Sequence, residues 1–213
     1  MLVFEDVAFG FTEDLFADVN FQIRSGEAAV LTGKNGAGKS SLLRLCNGLL
    51  KPRKGKIKLA GFHTDEHKTS SLAKHAGFLF QNPDRQISKN TVEEELLFGL
   101  SLTMPDADET EKERLVDEIT AEFGLKRDDE IFMLSKGFRQ LTAIASVLIT
   151  SPSVLLLDEP TVCLDKKQKN ALAQSLSNRV KNGAAALIIT HDIEFIEMLD
   201  CRKLILQDKN IES

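Results

Sequence analysis

The chain has 213 residues, 42% hydrophobic and 28% charged, with net charge −5 and a pI near 5.5. That length suits one large domain, and the acidic balance argues against nucleic acid as the main ligand. Cys46, Cys163 and Cys201 are odd in number and far apart. They exclude a disulfide framework or a C-x-x-C zinc site and point to the reducing cytosol. No basic leader opens the chain, and no apolar run approaches the ~20 residues that span a bilayer. Any membrane part is therefore expected from another chain.

In chain order, Leu2–Phe9 and Val19–Ile23 alternate apolar and polar residues as half-buried strands do, with Gly10–Asp18 between them as a loop bearing Phe11 and Phe16. Glu27–Thr32 is a short apolar strand running into a glycine-rich loop. Lys39–Leu50 reads as a helix burying Leu42, Leu43, Leu45, Cys46 and Leu49, stopped by Pro52 and Gly55. Lys56–Ala60 is an exposed strand, and Lys51, Arg53, Lys54, Lys56 and Lys58 form a solvated turn and strand edge. Phe78–Phe80 is a brief strand ending at Gln81. Thr91–Leu100, Glu111–Phe123 and Arg139–Thr150 read as helices, the last behind a serine cap. Val154–Leu157 and Ala185–Ile189 are uniformly apolar, as central strands of a parallel sheet are, and the polar helix Lys166–Val180 separates them. Lys203–Gln207 is a last strand before a short polar tail. The expected fold is α/β: a parallel core sheet, antiparallel strands at the front, and a helical segment inserted at roughly 82–150.

Gly33-Lys34-Asn35-Gly36-Ala37-Gly38-Lys39-Ser40 fits G-x-x-x-x-G-K-[ST] between a strand and a helix, with Ser41 following. Glycines let backbone N–H groups approach a phosphate, and the helix aims its positive end at the same anion. Lys39 supplies a point charge to the β- and γ-phosphates, and the Ser40 hydroxyl is a ligand for Mg²⁺. This loop implies ATP or GTP binding and leaves kinases, GTPases and ATPases open.

Val154-Leu155-Leu156-Leu157-Asp158-Glu159-Pro160 narrows the choice. Two carboxylates sit at the carboxyl end of a buried strand, level with the phosphate loop. Asp158 is placed to hold the metal ion, and Glu159 to orient or deprotonate an attacking water. A second core strand ends at Thr190-His191-Asp192, where an imidazole reaches toward the γ-phosphate.

Together these elements resemble the nucleotide-binding domain of ABC transporters over essentially the whole chain. The resemblance assigns a Walker A loop at 33–40, a Q-loop glutamine at Gln81, a signature at 134–140, Walker B at 154–159, a D-loop at 161–165 and a switch histidine at His191. It implies one P-loop NTPase domain over 1–213, with a RecA-like core and antiparallel strands in roughly 1–81 and 151–213 and a helical subdomain between them. It further implies ATP and Mg²⁺ as cofactors, a head-to-tail dimer with the same or a related subunit, and integral membrane subunits that the ATPase drives from the inner face of the cell membrane. Gln81 would contact Mg²⁺ and the water. Phe11 matches the aromatic that stacks on adenine, and Asp165 lies in the D-loop at the dimer interface.

The signature departs from the usual Leu-Ser-Gly-Gly-Gln, reading Leu134-Ser135-Lys136-Gly137-Phe138, then Arg139-Gln140. Ser135 and Gly137 retain the groups offered to the partner's γ-phosphate, and Lys136 adds a positive charge beside it. The run Phe80-Gln81-Asn82-Pro83-Asp84-Arg85-Gln86-Ile87, with Thr91-Val92-Glu93-Glu94-Glu95, resembles the ATPases of energy-coupling-factor importers of vitamins and transition-metal ions. A weakly hydrolysing regulatory subunit and a soluble non-transport ABC ATPase are the alternatives. His63 and His67 are four apart, but their segment reads as a surface connection and no metal site is expected there.

Overall fold

The computed structural model describes residues 1–212. It opens with β1 (Leu2–Gly10), β2 (Asp14–Ile23) and β3 (Ala28–Gly33), then α1 (Lys39–Cys46), β4 (Lys54–Leu59) and β5 (Phe62–His63). Next come α2 (Thr69–Leu72), β6 (Ala76–Leu79), α3 (Val92–Thr103), α4 (Glu109–Phe123) and α5 (Lys136–Leu148). The chain then alternates through β7 (Val154–Asp158), α6 (Lys166–Lys181), β8 (Ala185–Ile189) and α7 (Ile193–Glu197) before β9 (Arg202–Gln207) and β10 (Asn210–Glu212).

Two sheets result. An antiparallel one runs β2-β1-β4-β5, and a six-stranded one runs β10-β9-β3-β8-β7-β6, parallel from β9 to β6. Strand parity explains how the parallel sheet is covered, because successive side chains point to opposite faces. Val30, Leu155, Leu157, Ala186 and Ile188 join an apolar cluster with α3 to α7. Their neighbours Ala29, Leu31, Leu156, Leu187 and Ile189 join a second cluster with α1 and the antiparallel sheet. An uninterrupted apolar strand is what such double coverage requires.

Among the described residues, the stretch from Pro83 to Leu148 is helical, apart from one isolated bridge between Thr91 and Glu130. Its helices start on side-chain caps. Thr91 and Glu94 form a capping box on α3, Asp108 caps α4 and Ser135 caps α5. Arg127 pairs with Glu93, Glu113 and Asp117 and so ties α3 to α4. α5 packs on β6 closely enough that a Cβ on Gly77 would lie 2.6 Å from Val147.

Several elements differ from the sequence expectation. The proposed loop Gly10–Asp18 shrinks to a turn at 11–13. Phe16, read as a loop residue, is fully buried in β2 opposite Phe9, because this aromatic is worth more in the core than exposed. The helix expected to run to Leu50 ends at Cys46, where Gly48 takes φ +73°, and Leu49 lies exposed. The polar tail pairs as β10 against β9, and the connection near 62 is a short strand on β4. Phe16→Ala is expected to lower unfolding free energy by about 3–5 kcal/mol. Denaturant titration checks this, and a loss below about 1 kcal/mol would return Phe16 to a loop.

Candidate nucleotide site

Four adjacent parallel strands, β3, β8, β7 and β6, bring their carboxyl ends to one edge. Gly33 closes β3, Asp158 closes β7 with Glu159 after it, and His191 and Gln81 follow β8 and β6. There they meet a cleft of about 530 Å³ lined by Phe11, Asn35, Gly36, Gly38, Lys39, Ser40, Ser41, Gln81, Asp158, Glu159 and His191. All of these were expected from the sequence. Leu15 and Ile189 also line the cleft and were not.

The glycine loop forms because its backbone takes left-handed angles, φ +82° at Gly36 and +103° at Gly38. Gly38 begins α1 with no side-chain cap, and no acidic residue occupies the first turn. The first N–H groups of the helix therefore lack side-chain acceptors and face an anion site with the positive end of the helix dipole. The Lys39 ammonium donates to the Gly33 carbonyl at 2.7 Å and the Lys34 carbonyl at 3.1 Å. Two of its three protons hold the loop in shape, leaving one for a phosphate. Gly33, Lys34 and Ala37 thus serve as loop backbone rather than as cleft wall.

In a regular strand Asp158 and Glu159 would point to opposite sides. Glu159 instead takes φ +51°, held by its N–H donating to the Ile189 carbonyl at 2.8 Å. That break in alternation lets both carboxylates line one cleft, at about 1–3 kcal/mol of local strain. Burial pushes the Asp158 carboxyl up from its ordinary value, opposed by a hydrogen bond from Ser40 and the charges of Arg44 and Lys39. Burial likewise raises Glu159, opposed chiefly by His191. Desolvation pushes Lys39 down, with Glu159 and Asp158 acting against it. A buried carboxylate of raised proton affinity is suited to taking a proton from water.

His191 Nε2 stands 3.6 Å from Glu159 Oε1, with the imidazole half exposed. Its support was not legible in the sequence. The buried Thr190 hydroxyl lies 3.4 Å from that of Thr161 and accepts from the Asp192 N–H at 3.1 Å. Asp192 caps α7 and pairs with Lys169 at 2.6 Å. Lys169 belongs to the polar helix α6, where no local pattern distinguishes it. Ser40, Asp158 and Gln81 offer hydroxyl, carboxylate and amide oxygens at one place, a hard donor set that fits Mg²⁺.

The remaining predicted residues lie apart from the cleft. Ser135 and Lys136 are exposed at the start of α5, and Asp165 forms a capping box with Gln168 on α6. Gly137 is buried, and a Cβ there would sit 2.6 Å from the Cys163 carbonyl. Its close packing on the 161–165 loop is an internal reason for glycine that the motif alone did not show.

A family model described as ABC transporter matches residues 16–162. The chain belongs to the ABC transporter family, as an ATP-binding, ATP-hydrolysing subunit. Within that family it is 36% identical over 218 residues to the energy-coupling factor transporter ATP-binding protein EcfA1 of Mycoplasma genitalium, covering 98% of this chain and 79% of the relative. The structure of cbiO1 from Clostridium perfringens, part of the ABC transporter complex cbiONQ, matches with TM-score 0.85 and 30% identity, over 100% of this chain and 86% of that one. The ATP-binding cassette MJ0796, solved as a dimer bound to ADP and Pi, matches with TM-score 0.87 and 26% identity, over 100% and 97%. The chain spans from 34% to 82% of the length of the curated relatives it matches. The expected P-loop α/β fold, with an antiparallel sheet beside the parallel core, is borne out.

The raised Asp158 gives this ABC site a signed pH dependence. The unfolded chain ionises Asp158 at lower pH than the folded one does. Burying the charge therefore costs nothing below the unfolded value and costs most above the folded value. Without metal or nucleotide, Asp158→Asn is expected to raise the melting temperature near neutral pH. The gain should shrink as pH falls toward about 4. A gain that grew on acidification would contradict this.

Proposed function

We propose that this ABC ATPase, on the inner face of the cell membrane, powers an energy-coupling-factor-type importer of a vitamin or a transition-metal ion. No helix among the described residues is long and apolar enough to cross a membrane, so integral subunits are the expected partners. The similarity to EcfA1 and to cbiO1 supports the subtype.

The observation carrying the mechanism is the convergence of Lys39, Ser40, Gln81, Asp158, Glu159 and His191 on one cleft. In this reading Phe11, 65% exposed at the cleft rim, stacks on adenine. The 33–38 backbone, with Ser41, cradles the phosphates, and Lys39 neutralises their charge. Ser40, Asp158 and Gln81 would hold Mg²⁺, which when bound would offset the negative charge of the phosphates. Glu159 orients the attacking water and accepts its proton, and His191 donates toward the γ-phosphate.

Ser135 and Lys136 are exposed and Gly137 is buried, and none of the three lines their own chain's cleft. We assign them to the nucleotide of a second subunit, the same chain or a relative, with Asp165 near the contact. The dimeric MJ0796 cassette is consistent with such pairing.

Glu159→Gln is expected to lower ATP turnover by about 100-fold or more, with nucleotide affinity retained and the dimer prolonged. Turnover within a factor of two of wild type, measured beside it, would remove Glu159 from the base role. Lys39→Ala should instead abolish binding of a fluorescent ATP analogue, and unchanged binding would contradict the role of Lys39.

A further inference from the structure

Two segments with different duties meet at Arg139. Its Nε donates to Asp84 Oδ1 at 2.9 Å, and its Nη1 donates to the Leu134 carbonyl at 2.8 Å. Asp84 lies in a 3-10 turn at Pro83–Arg85, capped by Asn82, directly after Gln81 of the nucleotide cleft. Leu134 directly precedes Ser135, the exposed cap of α5. One planar guanidinium, 17% exposed, therefore grips the segment that contacts this chain's own nucleotide and the segment presented to the other one. A fork of this kind fixes direction as well as distance, which an ammonium does not.

The surroundings make this tie consequential. A gap of about 260 Å³ lies between the two segments, bordered by Gln81, Asp84, Lys136, Arg139 and Cys163. A second link, from Gln86 Nε2 to the Ala143 carbonyl at 3.5 Å, attaches deeper along α5 and is long for a hydrogen bond. A movement of Gln81 toward a γ-phosphate would carry the 83–85 turn with it, and through Arg139 the start of α5.

We propose that Arg139 is a positioning residue whose contact with Asp84 transmits occupancy of this chain's nucleotide cleft to the orientation of Ser135 at the partner's. The idea rests on the two-subunit reading above. Coupling of this form is reciprocal, so closure around the partner's nucleotide also steadies Gln81. The Asp84 end of the pair is 45% exposed, and an ion pair open to solvent on one side adds little to stability, so its loss should act on turnover rather than folding.

The test is ATP turnover by the purified chain assembled with its partner subunits, beside the melting temperature and ATP binding by the chain alone. Arg139→Gln and Asp84→Asn are each expected to lower kcat by about 5- to 20-fold, within the range of ordinary coupling factors. KM and binding should change by less than about 2-fold, with the melting temperature retained. The double variant should be no slower than the slower single one, because both remove the same link. Arg139→Lys should recover part of the rate.

Either single variant turning over like wild type would overturn the proposal, as would a double-variant loss equal to the product of the single losses. A fall in melting temperature that matches the rate loss, seen in both Arg139→Gln and the more exposed Asp84→Asn, would assign the pair to folding and overturn it too. These failures are distinct from failure of the site reading, which appears as undiminished turnover in Glu159→Gln.

Discussion

Everything at the nucleotide cleft depends on the side-by-side packing of β3, β8, β7 and β6, buried on both faces. Parallel strands share a direction, so their carboxyl ends share an edge, and whatever follows each strand is delivered to one place. The strands are held there by apolar side chains split by parity between two cores, one under α1 and the antiparallel sheet, the other under α3 to α7. Hydrophobic burial without direction thus becomes directional placement of a loop, a glutamine, two carboxylates and a histidine.

Within that frame the chemistry needs two local departures from regular structure. The glycine loop leaves helix-terminal N–H groups without side-chain acceptors, which makes an anion site. At Glu159 the left-handed backbone turns a carboxylate that would face away into the same cleft as Asp158. Both departures carry a conformational cost, and both sit where charge must be concentrated. Burial then raises the proton affinity of the acids while Lys39, drawn to them, keeps the phosphate loop closed.

The same sheet also positions the elements that lie outside the cleft. α5 is anchored on β6, and its serine cap is exposed and does not line the cleft. Gly137 packs against the 161–165 loop, so the 135–137 segment and that loop form one surface. Arg139 adds a connection from that surface back to the Gln81 segment. Lys136 and Phe138 are both exposed beside it.

Sequence alone determined the elements whose signal is local. The Gly33–Ser40 loop, the apolar runs of β7 and β8, the acids after β7 and the serine cap before α5 depend on neighbours within a few residues, so the fold class and most cleft residues were legible. Tertiary structure decided what depends on distant partners. Phe16 becomes a core strand residue because Phe9 lies opposite, Leu49 is released because Gly48 turns the chain, and Thr161, Lys169 and Asp192 matter only because α6, α7 and β8 converge. It also separated the signature from the cleft, a fact of direction in space that no spacing along the chain contains.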